Sequence, residues 1–110
     1  MDKDIKEKIS QLQALEQNLQ HILLQKQNIQ TQLIEIDSAL EALRTNSKQT
    51  FKIVGAVMIE SPKESLLKDL NYKKEVIQVK IKSIEKLEKK LREDLKSLQE
   101  DVLKNIKKNE

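Results

Sequence analysis

Cysteine and tryptophan are absent from the 110 residues, and Phe, Tyr, Gly and Pro occur once each. Without Cys there is no disulfide, no thiolate nucleophile and no Cys-ligated zinc, a composition compatible with a reducing compartment. Aromatics at 2% cannot build a compact core around large rings, which argues against a globular enzyme of this size. One Gly and one Pro leave almost no punctuation, because tight turns draw on φ > 0 or a fixed φ, so long uninterrupted elements are expected. Long apolar runs are missing as well. No stretch approaches the roughly 18 apolar residues that span a bilayer, and Met1-Asp2-Lys3-Asp4 leads into no signal-peptide core, so a soluble cytoplasmic protein with no membrane partner is expected.

What is present is 35% charged and 37% hydrophobic residues with a net charge of +3, too apolar and too weakly self-repelling for a disordered chain. The apolar residues must therefore be placed periodically. From Ile5 they recur at heptad spacing, with Leu12, Leu19, Leu33 and Leu40 in one row and Leu15, Ile22, Ile29, Ile36 and Leu43 three residues after it; Lys26 is the one interruption after Leu12. Eight Gln between Gln11 and Gln32 solvate the outer face without adding charge. This pattern predicts one long helix ending near Arg44, where Thr45-Asn46-Ser47 bonds locally to the backbone. A second seam runs Leu67, Leu70, Ile77, Ile81, Ile84, Leu91, Leu95, Leu98 and Val102, interrupted by Lys74 and Glu88. Acid-before-base pairs four residues apart, such as Glu64 with Lys68, Asp69 with Lys73 and Glu88 with Arg92, support its exposed face.

Between the seams the period changes. Residues 50–61 hold the only Phe, the only Gly and a dense set of β-branched residues. Gly55-Ala56 between two apolar arms suits a two-residue hairpin with Gly first, as a type II′ turn requires. The register then pairs Val54 with Val57, Ile53 with Met58, Lys52 with Ile59 and Phe51 with Glu60, leaving Val54, Val57 and Ile59 on one face and Phe51, Ile53 and Met58 on the other. Ser61-Pro62-Lys63-Glu64 reads as a capping box with Pro at the first helical position. One domain in three parts follows: helix 1–45, loop and hairpin 46–61, helix 62–110. The fold class is mainly α, a long antiparallel two-helix coiled coil with one central β-hairpin, since each seam needs a partner and the other is tethered nearby.

Two features suggest function. An isolated two-stranded ribbon is marginal in water, and this one has two open edges and two apolar faces. It is either a cap packed on its own helices or, as favoured here, a piece of an inter-subunit sheet or β-barrel, for which Phe51, Ile53, Val54, Val57, Met58 and Ile59 are the oligomerisation residues. At the far ends of the seams Lys8 and Asn105 take core positions while Ile9, Leu103 and Ile106 lie beside them, so the core thins. That is either simple fraying or an apolar tip that contacts something else. No catalytic constellation, metal-ligand cluster, phosphate loop or cofactor site is found. His21 lies outside the seam and reads as a solvated residue. Residues 62–110 carry fourteen Lys/Arg against ten Asp/Glu, and residues 1–49 six against seven, a mild asymmetry that does not amount to a nucleic-acid footprint.

Phe51-Lys52-Ile53-Val54-Gly55, the apolar strand after it and Ser61-Pro62-Lys63-Glu64 resemble the signature of the β-class subunit of prefoldin. The stretch 79–92 and the Gln-rich first helix are similar to that family's helices. Leu87, where the family often has Gln, and the non-acidic loop Thr45-Asn46-Ser47-Lys48-Gln49 depart from it. The resemblance implies an ATP-independent holding chaperone, a hexamer of two α-class and four β-class subunits joined by their hairpins into a double β-barrel. It also implies coiled-coil tips that bind unfolded proteins and deliver them to a group II chaperonin. Carried over onto this chain, the client-binding residues are Ile5, Ile9, Leu12, Val102, Leu103 and Ile106. The alternatives are a coiled-coil adaptor without clients and a rod that bridges nucleic acid through its basic second helix.

Overall fold

The computed structural model describes residues 3–46 and 48–108. Met1, Asp2, Ser47, Asn109 and Glu110, which the expected helix and loop boundaries include, lie outside the described residues, so the expected helix-ending role of Ser47 is not addressed.

Four elements follow one another: α1 (Lys3–Thr45), β1 (Phe51–Val54), β2 (Val57–Glu60) and α2 (Lys63–Lys108). The chain is mainly helical, with two long helices and a two-stranded antiparallel hairpin. No helix among the described residues is long and apolar enough to cross a membrane. α1 ends as its polar residues dictate: Thr45 Oγ1 donates to the Glu41 carbonyl at 3.1 Å, and Asn46 Oδ1 accepts from the Lys48 amide at 2.9 Å. These local bonds replace the continuation of the helical ladder. Arg44 pairs with Glu41 in the last turn, where a cation complements the helix dipole.

α2 starts differently from expectation. Its first helical bond runs from the Leu66 amide to the Pro62 carbonyl at 3.2 Å. A capping box would give the Ser61 amide to the Glu64 side chain, but that amide donates instead to the Thr50 carbonyl at 2.9 Å. Thr50 Oγ1 in turn donates to the Ser61 carbonyl at 2.6 Å. Thr50 and Ser61 thus form one more rung beneath the hairpin, and Thr50 is the buried polar residue among those described.

The chain divides into two compact units, one of Met1–Gln27 with Lys82–Glu110 and one of Asn28–Ile81. In the first, α1 and α2 lie side by side and antiparallel, joined by an ion pair between Lys26 and Glu88, and Ile5, Leu19, Ile22 and Val102 are buried. In the second the same arrangement is tied by Lys74 Nζ and Asp37 Oδ1 at 2.7 Å, with Ile77 buried. Every residue of the two heptad seams is buried or half-buried, whereas the Gln residues of α1 are exposed. Half-burial is the ordinary condition of a two-helix seam, which has no further layer to cover its flanks.

The polar interruptions of the seams are paired across the helices. Lys26 Nζ lies 2.9 Å from Glu88 Oε1, and Arg92 Nε donates to Glu88 Oε2 at 3.0 Å from one turn further along α2. Hydrogen bonds from Lys26 first and Arg92 second hold the Glu88 carboxyl below its ordinary range, against a smaller opposing effect of desolvation. Of the expected pairs along α2, Glu88 with Arg92 is formed. Asp69 turns instead toward Lys52 of β1, 3.9 Å away. His21 is exposed and accepts from Gln25 Nε2 at 3.2 Å.

Candidate assembly hairpin and helix ends

The hairpin forms where the sequence permits a reversal. Gly55 has φ +61°, and no other described residue has a positive φ. A type I′ turn would require φ > 0 at Ala56 as well, so the turn is type II′ with Gly at its first central position. The register is Val54 with Val57, Ile53 with Met58, Lys52 with Ile59 and Phe51 with Glu60. Period-two alternation then gives one face of Lys52, Val54, Val57 and Ile59 and another of Phe51, Ile53, Met58 and Glu60.

All eight strand residues are exposed. The six large apolar ones range from 49% exposed at Phe51 to 69% at Ile53. A cap packed against its own helices would bury at least one face, and neither face is buried. Six adjacent apolar side chains in water, on a ribbon with both edges open, form the kind of patch that marks an association surface.

The helix ends correct part of the expectation that the core thins there and its apolar residues turn outward. Ile5, at 3% exposed, and Val102 are buried, while Ile9 and Leu12 are half-buried. Leu103 at 58% and Ile106 at 38% are exposed, and the polar seam residues Lys8 and Asn105 are half-buried. The reason is positional: Ile5 and Val102 stand on the heptad rows, and both helices run on past them, so the seam stays covered. Leu103 and Ile106 stand beside the row and turn outward. Of the six residues carried over as client-binding, two are open surface, two are partly covered and two belong to the core.

Sequence reasoning missed two contacts, Lys74 with Asp37 and Thr50 with Ser61. The fold-back that sets Val54 against Val57 also sets Lys74 against Asp37, and that arithmetic was the available signal. The Thr50 to Ser61 rung had only a weak signal, a Thr just before the first strand and a Ser just after the second. Among the described residues no group of three or more His, Cys, Asp or Glu is placed to hold a metal ion.

Two long helices joined through an exposed two-stranded hairpin define a class: antiparallel two-helix coiled-coil proteins that carry one open β-hairpin between their helices. The prefoldin subunit family model matches residues 6–109. The prefoldin β subunit of Archaeoglobus fulgidus is 33% identical over 96 residues, covering 86% of this chain and 83% of that protein. That of Saccharolobus islandicus is 34% identical over 101 residues, covering 90% and 80%. The crystal structure of the prefoldin β subunit from Thermococcus strain KS-1 superposes with a TM-score of 0.88 at 28% identity, covering 94% of this chain and 93% of that one. The chain belongs to the prefoldin subunit family, and these similarities are to its β subunits.

Proposed function

We propose that this chain is a non-enzymatic subunit of a holding chaperone, which captures unfolded proteins without ATP at the ends of its helices and passes them to a group II chaperonin. It assembles with an α-class prefoldin subunit, two α with four of this chain, through a β-barrel built from the hairpins, and works in the cytoplasm. The observation that carries this reading is the hairpin: eight residues with six exposed large apolar side chains, projecting from helices that bury neither face.

Clients are held at Leu103 and Ile106, with Ile9 and Leu12 contributing the parts they expose. Ile5 and Val102 join only when the last turns separate, an opening of the kind helix ends undergo at little cost. Each apolar side chain that a client covers fully is worth about 1.5 to 3 kcal/mol, and partial cover much less. Several ends acting on one unfolded chain supply the remainder through high effective concentration.

The test is suppression of aggregation of a chemically denatured protein, without nucleotide, by the chain assembled with an α-class partner. Leu103→Ser with Ile106→Ser should keep the oligomeric mass and helicity and lose most of the suppression. Undiminished suppression by a correctly assembled variant would contradict the assignment of the ends as the client site.

A further inference from the structure

The hairpin carries two charges and separates them. Between residues 50 and 61 the charged residues are Lys52 and Glu60. The register puts Lys52 on the face of Val54, Val57 and Ile59, and Glu60 on the face of Phe51, Ile53 and Met58. Lys52 Nζ reaches to 3.9 Å from Asp69 on α2, so its charge has a counter-charge within the chain. Glu60 is exposed, and no ion pair to it forms among the described residues.

From this we infer that Glu60 selects the hairpin's neighbour: a strand from a different chain, presenting Lys or Arg among apolar residues toward the Phe51, Ile53 and Met58 face, in preference to a second copy of this chain. The inference rests on the reading of the hairpin as an assembly element. In a closed barrel of identical copies related by rotation, every copy turns the same face inward. Alternation keeps Lys52 and Glu60 on opposite faces, so identical copies bring only Glu60 side chains together on the Phe51 face. Neighbouring hairpins place equivalent residues two strands apart, about 10 Å at the usual strand spacing, which is close to the screening length at 0.1 M salt. A chain with a base on that face removes the repulsion and supplies the missing counter-charge.

The experiment compares the full-length wild type, Glu60→Gln, Glu60→Lys and the double variant Ile53→Ser with Met58→Ser. It uses sedimentation and native mass spectrometry, with helicity checked by circular dichroism. Glu60→Gln should self-associate about three- to tenfold more tightly than wild type at low salt, the advantage shrinking as salt rises. An equimolar mixture of wild type and Glu60→Lys should give mixed oligomers above the statistical proportion. Equal self-association of wild type and Glu60→Gln with statistical mixing, or monomers in every variant and mixture, overturns the inference. Self-association unchanged by Ile53→Ser with Met58→Ser overturns instead the assembly reading on which it rests.

Discussion

Ile77 and Val79 are two residues apart on α2 and similar in size, yet the structure gives them opposite surroundings. Ile77 is 8% exposed on the seam and Val79 is 64% exposed on the outer face. Truncating a buried Ile to Ala removes its transfer free energy and leaves a cavity, at a cost of about 2 to 5 kcal/mol in closed cores. Here the seam neighbours Leu70 and Ile81 are half-buried and can settle into the space, which places Ile77→Ala at the lower end, about 2 to 3 kcal/mol. Val79→Ala loses little contact and gains helix propensity, so its effect should stay within about 0.5 kcal/mol. For a chain of this length 1 kcal/mol corresponds to roughly 4 °C, so Ile77→Ala should lower the melting temperature by about 8 to 12 °C and Val79→Ala by no more than about 2 °C. Both are read by circular dichroism at one fixed protein concentration, since melting of an oligomer depends on concentration. Equal losses for the two variants would refute the assignment of the seam.

A double-mutant cycle with Lys26→Leu and Glu88→Leu, read by thermal melting, should show clear non-additivity because the two groups touch; simple addition would deny an energetic contact. The lowered Glu88 pKa gives this pair a pH signature. Its contribution is complete above the unfolded carboxylate value of about 4.3 and is lost as pH falls through the lower folded value, so the melting difference between wild type and Glu88→Gln should shrink below about pH 4 and stay constant from pH 6 to 8. Gly55→Ala meets no atom within 4 Å but must adopt φ +61°. It should cost about 1 to 2 kcal/mol, expressed as weaker assembly with the helices intact, and unchanged association would remove the need for the type II′ turn.

Much of this architecture is legible in the sequence because each element has a local cause. The hairpin register follows from the single Gly, which admits one place for a two-residue reversal, and the seams follow from rows of Leu and Ile kept strictly seven residues apart. The Lys26 and Glu88 contact is legible only as a level: the antiparallel fold-back sets Lys26 opposite residues between about 84 and 88, a range that holds both Glu85 and Glu88, and the packing of the two helices decides for Glu88. The Ser61 cap is not, because the choice between Glu64 three residues ahead and Thr50 eleven behind depends on whether the hairpin closes one further rung. Burial of Ile5 and Val102 is hidden for a related reason: Lys8 and Asn105 look like the end of a core, yet both are tolerated half-buried on the seam while helix continues beyond them. The charge separation of Lys52 and Glu60 is implicit in the register, but which charge stays unmatched depends on Asp69 facing the strand.

The central claim is that the hairpin, and not the helical seam, joins this chain to others. Val54→Asp and Ile59→Asp test it most directly, each measured by sedimentation of the chain mixed with an α-class partner. An unpaired charge in the buried sheet of an assembled barrel costs several kcal/mol, so both variants should sediment as dissociated chains while keeping nearly all their helicity. An oligomer of undiminished mass in both variants would contradict the account.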